Sequence, residues 1–158
     1  RVPPEQRGVF VDLGSGAGRA AALASLAFRR SVGLELQEDM HALAEGRARS
    51  FRAAAAECGV QHGELLLANA DFLGQLTTVW RDPNRLAWWD AADVAFACAA
   101  KYAPATLRGL AERAAAMRSG SLFATVRHAL PSDCFGEVCR FTVDCSWGRD
   151  ELILCRRL

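Results

Sequence analysis

Short apolar runs alternate with longer mixed stretches along this chain, and most of the runs end where glycine or an acid begins. Gly8-Val9-Phe10-Val11-Asp12-Leu13 meets Gly14-Ser15-Gly16-Ala17-Gly18, which predicts a strand entering a glycine turn. The alanine- and leucine-rich stretch from Arg19 to Phe28 predicts a helix lying close on a sheet. Ser31-Val32-Gly33-Leu34-Glu35 predicts a second strand ending in an acid. Residues 37–58 have helical periodicity, with Met40, Leu43, Ala44 and Phe51 on one side and Gly59 as a stop.

Glu64-Leu65-Leu66-Leu67-Ala68 predicts a third strand, followed by the polar turn Asn69-Ala70-Asp71-Phe72. Residues 73–89 read as irregular or partly helical, broken by Pro83 and Asn84. Trp80, Trp88 and Trp89 flank that stretch, either as cover for the next strand or as contacts for a partner. Residues 92–98 predict strand four. Pro104 suits the first turn of a helix running to Met117, and residues 121–126 predict strand five. Residues 137–145 and 151–155, with Trp147-Gly148 between them, alternate as an antiparallel pair. This succession predicts an α/β fold: a Rossmann-like, doubly wound, mostly parallel seven-stranded sheet closed by an antiparallel C-terminal hairpin.

Candidate chemistry gathers at the strand ends. A glycine turn between strand and helix lets the backbone approach a ligand closely, although a purely structural turn has the same wording. Dinucleotide dehydrogenases use G-x-G-x-x-G to seat a pyrophosphate. Here the third glycine, Gly18, comes one residue early, and Asp12 just before the turn would repel a diphosphate. That acid suits a ligand carrying an ammonium and a sulfonium, such as S-adenosylmethionine. Glu35, at the next strand end, is placed to accept both ribose hydroxyls, or else is a helix N-terminal acid. Asp71 is placed for an adenine amine, with Phe72 covering the ring; their bland alternative is a turn acid beside a core aromatic. Three acids at successive carboxyl ends favour the ligand reading. After strand four, Tyr102 is a candidate wall of an aromatic substrate channel or a packing residue beneath the helix at Pro104, and Lys101 a solvated loop charge.

Composition narrows the function classes. The 158 residues are 51% hydrophobic and 23% charged with a net charge of +1, which predicts one domain over residues 1–158 and no basic nucleic-acid surface. The six cysteines contain no C-x-x-C pair and read as buried thiols. His41, His62 and His128 lack metal-ligand spacing, so no metal site is expected. No apolar run is long enough for a membrane span, and an intracellular protein is expected. The start at Arg1 suggests a domain from a longer chain.

Together, Val11-Asp12-Leu13-Gly14-Ser15-Gly16, Gly33-Leu34-Glu35, Ala70-Asp71-Phe72-Leu73, Val94-Ala95-Phe96-Ala97 before Tyr102-Ala103-Pro104, and Ser146-Trp147-Gly148 resemble a known family. It comprises the non-SET histone lysine methyltransferases of the disruptor-of-telomeric-silencing type, which are class I S-adenosylmethionine-dependent methyltransferases. The resemblance implies that Asp12, Gly14, Ser15 and Gly16 hold the methionine end of the cofactor, that Glu35 holds the ribose, and that Asp71 and Phe72 hold the adenine; Gly18 is a further expected cofactor-binding position. It also implies an aromatic channel for a substrate lysine with Tyr102 in its wall, and a nuclear location if histones are the substrate. Cys98-Ala99 stands where the family has an asparagine pair; Cys98 thereby falls at a cofactor-binding position without the amide that orients the ligand. Similar glycine-rich wording occurs in mitochondrial-type lysine methyltransferases related to those acting on ATP synthase, which implies a protein lysine more generally and a cytoplasmic or organellar location. A small-molecule or RNA methyltransferase, and a catalytically degenerate cofactor- or partner-binding domain, remain the alternatives.

Overall fold

In the computed structural model, which describes residues 8–74 and 87–158, the chain alternates strand and helix in its first half. The elements run β1 (Val9–Leu13), α1 (Arg19–Ser25), β2 (Arg30–Glu35), α2 (Glu38–Glu57), β3 (Glu64–Asn69), α3 (Trp88–Ala91), β4 (Val94–Ala97), α4 (Pro104–Ala114), β5 (Leu122–Val126), β6 (Phe135–Cys145) and β7 (Gly148–Arg157). A short 3-10 turn, Ala99–Lys101, links β4 to α4.

All seven strands join one sheet in the order β3-β2-β1-β4-β5-β7-β6. The first five pair in parallel, and β7 pairs antiparallel with both β5 and β6. The fold expected from the sequence is therefore present. Strand order reverses at β1, whose end residue Leu13 pairs with Leu34 of β2 on one side and Ala97 of β4 on the other. Chains leaving those two neighbours cross to opposite faces, so a crevice opens at the carboxyl end of β1, where open α/β sheets bind ligands.

Parallel strands covered on both faces are apolar throughout, and each face here has its own partners. Val9, Val11, Leu13, Val32, Leu34, Ala95 and Ala97 share a core cluster with Trp88, Leu110, Ala111, Ala114 and Phe123. On the other face Ala21, Ala48 and Leu65 form a second cluster, with Phe51 and Leu67 packed against it. The buried stripe of α2 is Ala44, Ala48 and Ala55, and Leu43 lies 44% exposed. Small side chains let α2 lie close to the sheet, which leaves longer ones such as Leu43 at its flank.

Trp88 and Trp89 are buried as cover for the sheet, and the Trp88 indole donates to the Phe72 carbonyl at 2.7 Å. Trp80, Pro83 and Asn84 lie outside the described residues. The cysteines differ from expectation. Cys155 alone is buried, whereas Cys58 and Cys139 are exposed and Cys98, Cys134 and Cys145 are intermediate; all are free thiols. Cys58 caps the solvent end of α2, and Cys139 sits beside a register shift on the outermost strand, where apolar alternation faces water rather than a second layer. Among the described residues no helix is long and apolar enough to cross a membrane, and no group of three or more His, Cys, Asp or Glu could hold a metal ion.

Candidate active site

The glycine turn hooks over the end of β2. Gly14 and Ser15 both donate backbone N–H groups to the Leu34 carbonyl at 2.9 Å. Gly14 has φ 75°, and a Cβ there would collide with the Tyr102 hydroxyl, so glycine is required by both conformation and space. Gly33 faces the turn from β2, where a Cβ would stand 2.8 Å from Leu67 Cδ2 and 2.9 Å from Ser15 Oγ. Its absence lets Ser15 settle against the sheet.

Asp12 points from β1 toward the α1 side and is only 2% exposed. Burial pushes its carboxyl up to about 7, against a backbone hydrogen bond from Ala21 that lowers it, and nearby Glu35 adds to the rise. No ion pair to Asp12 occurs among the described residues. A buried carboxylate without a cation is costly, and a positively charged ligand would relieve it.

Glu35 is held in place by the backbone: Oε2 accepts from Gly16 N–H at 2.7 Å and Oε1 from Gln37 N–H at 2.9 Å. Each carboxylate oxygen has a second lone pair, so a pair of vicinal hydroxyls can still be accepted. Asn69, which pattern reading did not single out, steadies this strand end by donating from Nδ2 to the carbonyls of Glu35 and Leu36, both at 3.0 Å. Asp71 is exposed, and its Oδ1 accepts from Leu73 N–H at 2.8 Å. Phe72 stacks on Tyr102 with ring centroids 5.6 Å apart, and the Tyr102 hydroxyl donates to the Leu13 carbonyl at 2.7 Å. Burial, then the nearby Asp12 charge, pushes the Tyr102 hydroxyl well above its usual range, so it stays a donor. Tyr102 thus sits against the glycine turn beside Phe72.

A cleft of about 450 Å³ opens beside Asp12. It is lined by Asp12, Gly14, Ser15 and Cys98 and by Val143, Cys145, Trp147 and Leu152 of the hairpin. Burial, with smaller contributions from Cys145 and Asp12, pushes the Cys98 thiol up. Trp147 is fixed by its indole N–H donating to Asp150 Oδ2 at 3.0 Å, and Arg127 pairs with the same oxygen at 2.8 Å. The structure thus brings Asp12, Gly14, Ser15 and Cys98 to one cleft. Gly16 and Glu35 adjoin it through their mutual hydrogen bond, Phe72 and Tyr102 contact the same turn, and Asp71 stands outside on the solvent side. Gly18, with φ 75°, closes the turn into α1. Lys101 is exposed on its 3-10 turn.

The family described as "Histone methylation protein DOT1" matches residues 2–130 of this chain. A search of curated proteins finds no match. Several solved structures share the fold. An RNA methyltransferase from Salinibacter ruber, in complex with S-adenosyl-L-homocysteine, superposes with a TM-score of 0.62 at 18% identity, over 93% of this chain and 78% of that one. An rRNA methylase from Streptococcus thermophilus gives 0.63 at 14% identity, over 96% and 87%. A magnesium protoporphyrin IX methyltransferase from Synechocystis PCC 6803, with bound S-adenosyl-L-homocysteine, gives 0.69 at 10% identity, over 98% and 75%.

Proposed function

This chain belongs to the histone methylation protein DOT1 family, a family of class I methyltransferases, and from that premise we propose that it transfers a methyl group from S-adenosylmethionine to a lysine side chain of a protein, with histones the first candidates. The observation that carries the reading is Asp12, a carboxylate 2% exposed, lining a cleft and making no ion pair among the described residues. The methionyl end of S-adenosylmethionine brings the missing positive charge. Glu35, with one lone pair free on each oxygen, fits the ribose, and Phe72 offers an aromatic face for the adenine.

When bound, S-adenosylmethionine supplies an electrophilic methyl group on a sulfonium. The chain's own part is alignment and exclusion of water. Val143, Leu152 and Trp147 give the hairpin side of the cleft a mostly apolar lining. Such a wall disfavours an ammonium, so it lowers the pKa of an entering lysine and yields the neutral amine that nucleophilic attack requires. Tyr102, hydrogen-bonded to Leu13 and stacked on Phe72, fixes the turn that carries the ligand.

The test is incubation with methyl-labelled S-adenosylmethionine, core histones and a whole-cell protein extract. Label on lysine in a protein band is the expected result. Label confined to RNA or small metabolites would overturn the substrate assignment, and binding without transfer would identify a degenerate domain.

A further inference from the structure

β6 is the outer strand of the antiparallel half, 11 residues long, paired with β7 on one side and with no strand of the described residues on the other. In an antiparallel ladder alternate residues turn their N–H and C=O groups toward the neighbouring strand, and those between turn them outward. Cys145 and Gly148 close the hairpin around Ser146 and Trp147, so they belong to the set bonded within the hairpin. Counting back from Cys145, Val143, Phe141 and Cys139 share that set, and Asp144, Thr142 and Arg140 offer their backbone groups outward. Natural edge strands are blunted by bulges and charges against such pairing. The register shift of β6 lies between Glu137 and Cys139, which leaves residues 139–145 regular. Phe141, in the middle of that run, is 49% exposed.

The charges on this run are self-complementary. A two-fold axis perpendicular to the sheet keeps every side chain on its own face, so the strand can meet its copy only about a residue. A centre at Arg140 or at Asp144 would set like charges together. A centre at Thr142 sets Arg140 of one chain opposite Asp144 of the other, Phe141 opposite Val143, and Cys139 opposite Cys145. Opposite charges and apolar pairs directly across two strands favour their pairing. Within its own chain Asp144 meets Arg149 at 3.5 Å with both side chains exposed, which leaves it open to a second cation. Three outward residues on each strand supply roughly six main-chain hydrogen bonds. We propose that the β6 edge is a homodimer interface, in which two copies of this chain pair antiparallel about Thr142 and join their sheets into one. The hairpin braced in this way also supplies Val143, Cys145 and Trp147 to the cleft.

Sedimentation velocity in reducing buffer should show a reversible monomer–dimer equilibrium up to about 100 μM, where a Kd of about 10 μM leaves most chains paired. Thr142→Pro removes an outward N–H at a position where an edge strand tolerates proline. It should weaken association roughly tenfold or more with circular dichroism unchanged. Arg140→Asp and Asp144→Arg should each be monomeric alone and associate when mixed, because each substituted position then meets its opposite charge. Cys139 and Cys145 are held about 20 Å apart along one extended strand, so a disulfide between them must join two chains. Oxidation of the wild-type dimer by copper phenanthroline in air should give a peptide linking Cys139 to Cys145, and Thr142→Pro should give none. Wild-type protein that stays monomeric throughout, or a dimer that the proline and both charge variants leave unchanged, would overturn the proposal. A link joining Cys139 to Cys139 would overturn the register about Thr142.

Discussion

The hydroxyl of Tyr102 donates to the carbonyl of Leu13 at 2.7 Å, across 89 positions of sequence, in space that exists because Gly14 has no side chain. This contact ties the end of the 3-10 turn ahead of α4 to the last residue of β1, the strand on which the glycine turn is built. Tyr102→Phe should cost about 1 kcal/mol, since it leaves one partly buried carbonyl without its donor, and should lower the melting temperature by roughly 2–4 °C. Gly14→Ala should be far worse for ligand binding, because the added methyl meets the hydroxyl and the backbone is already in the left-handed region. A double variant, Gly14→Ala with Tyr102→Phe, should recover part of the loss in thermal melts, as expected if the clash is with the hydroxyl.

Asp12 makes the protein's stability depend on pH in an unusual direction. Its carboxyl lies near 7 in the folded chain against an ordinary value of 3.8. The folded state therefore holds this proton more tightly than the unfolded one. The contribution is most favourable at low pH, falls as pH rises from about 4 to 7, and is fully lost above that. Asp12→Asn should remove the decline, raise stability at pH 8 by about 1–3 kcal/mol and abolish S-adenosylmethionine binding. Chemical denaturation at pH 5 and pH 8, with titration calorimetry, would check both. Equal stability of the two proteins at pH 8 would count against a strained carboxylate.

Asp150 acts in the opposite sense. The Trp147 indole, and then Arg127, hold its carboxyl below the usual range. The stabilisation is present above the ordinary value of 3.8 and is lost as pH falls through the lower folded value. Acidification below about 4 should thus release Trp147, seen as a change in its fluorescence. Asp150→Asn, which has no carboxyl to titrate, should abolish that pH-dependent change.

The same network predicts a kinetic effect. Asp150→Ala frees both Trp147 and Arg127 at the hairpin wall, which does not include Glu35, Phe72 or the glycine turn. Steady-state kinetics should show KM for the methyl acceptor raised several-fold, with affinity for S-adenosylmethionine close to wild type. A matching loss of cofactor affinity would show that the hairpin supports the turn rather than the acceptor.

The strand ends were readable because parallel strands buried on both faces must be apolar up to the point where they emerge. Leu13 before Gly14 and Ala97 before Cys98 mark that emergence. Helix faces were harder. Met40 and Leu43 draw the eye by their size, yet α2 rests on Ala44, Ala48 and Ala55, since closeness to the sheet selects small side chains. The cysteines misled for a related reason: alternation on β6 looks like a core strand, but this strand is the sheet's edge and has no second layer over Cys139. The cleft joins residues from distant parts of the chain: Asp12 from β1, Cys98 just after β4, and Trp147 at the tip of the β6–β7 hairpin.

The two hydrogen bonds from Asn69 carry a consequence for order of melting. β3 is the outer margin of the parallel half, paired only with β2, and the Asn69 amide spans the carbonyls of Glu35 and Leu36. Outer strands fray before inner ones, so departure of β3 would loosen Glu35, the acid proposed for the ribose, while β1 and β4 stay intact. Warming should therefore silence nucleoside recognition before the sheet dissolves, with amide exchange at Glu35 and Asn69 as the early sign.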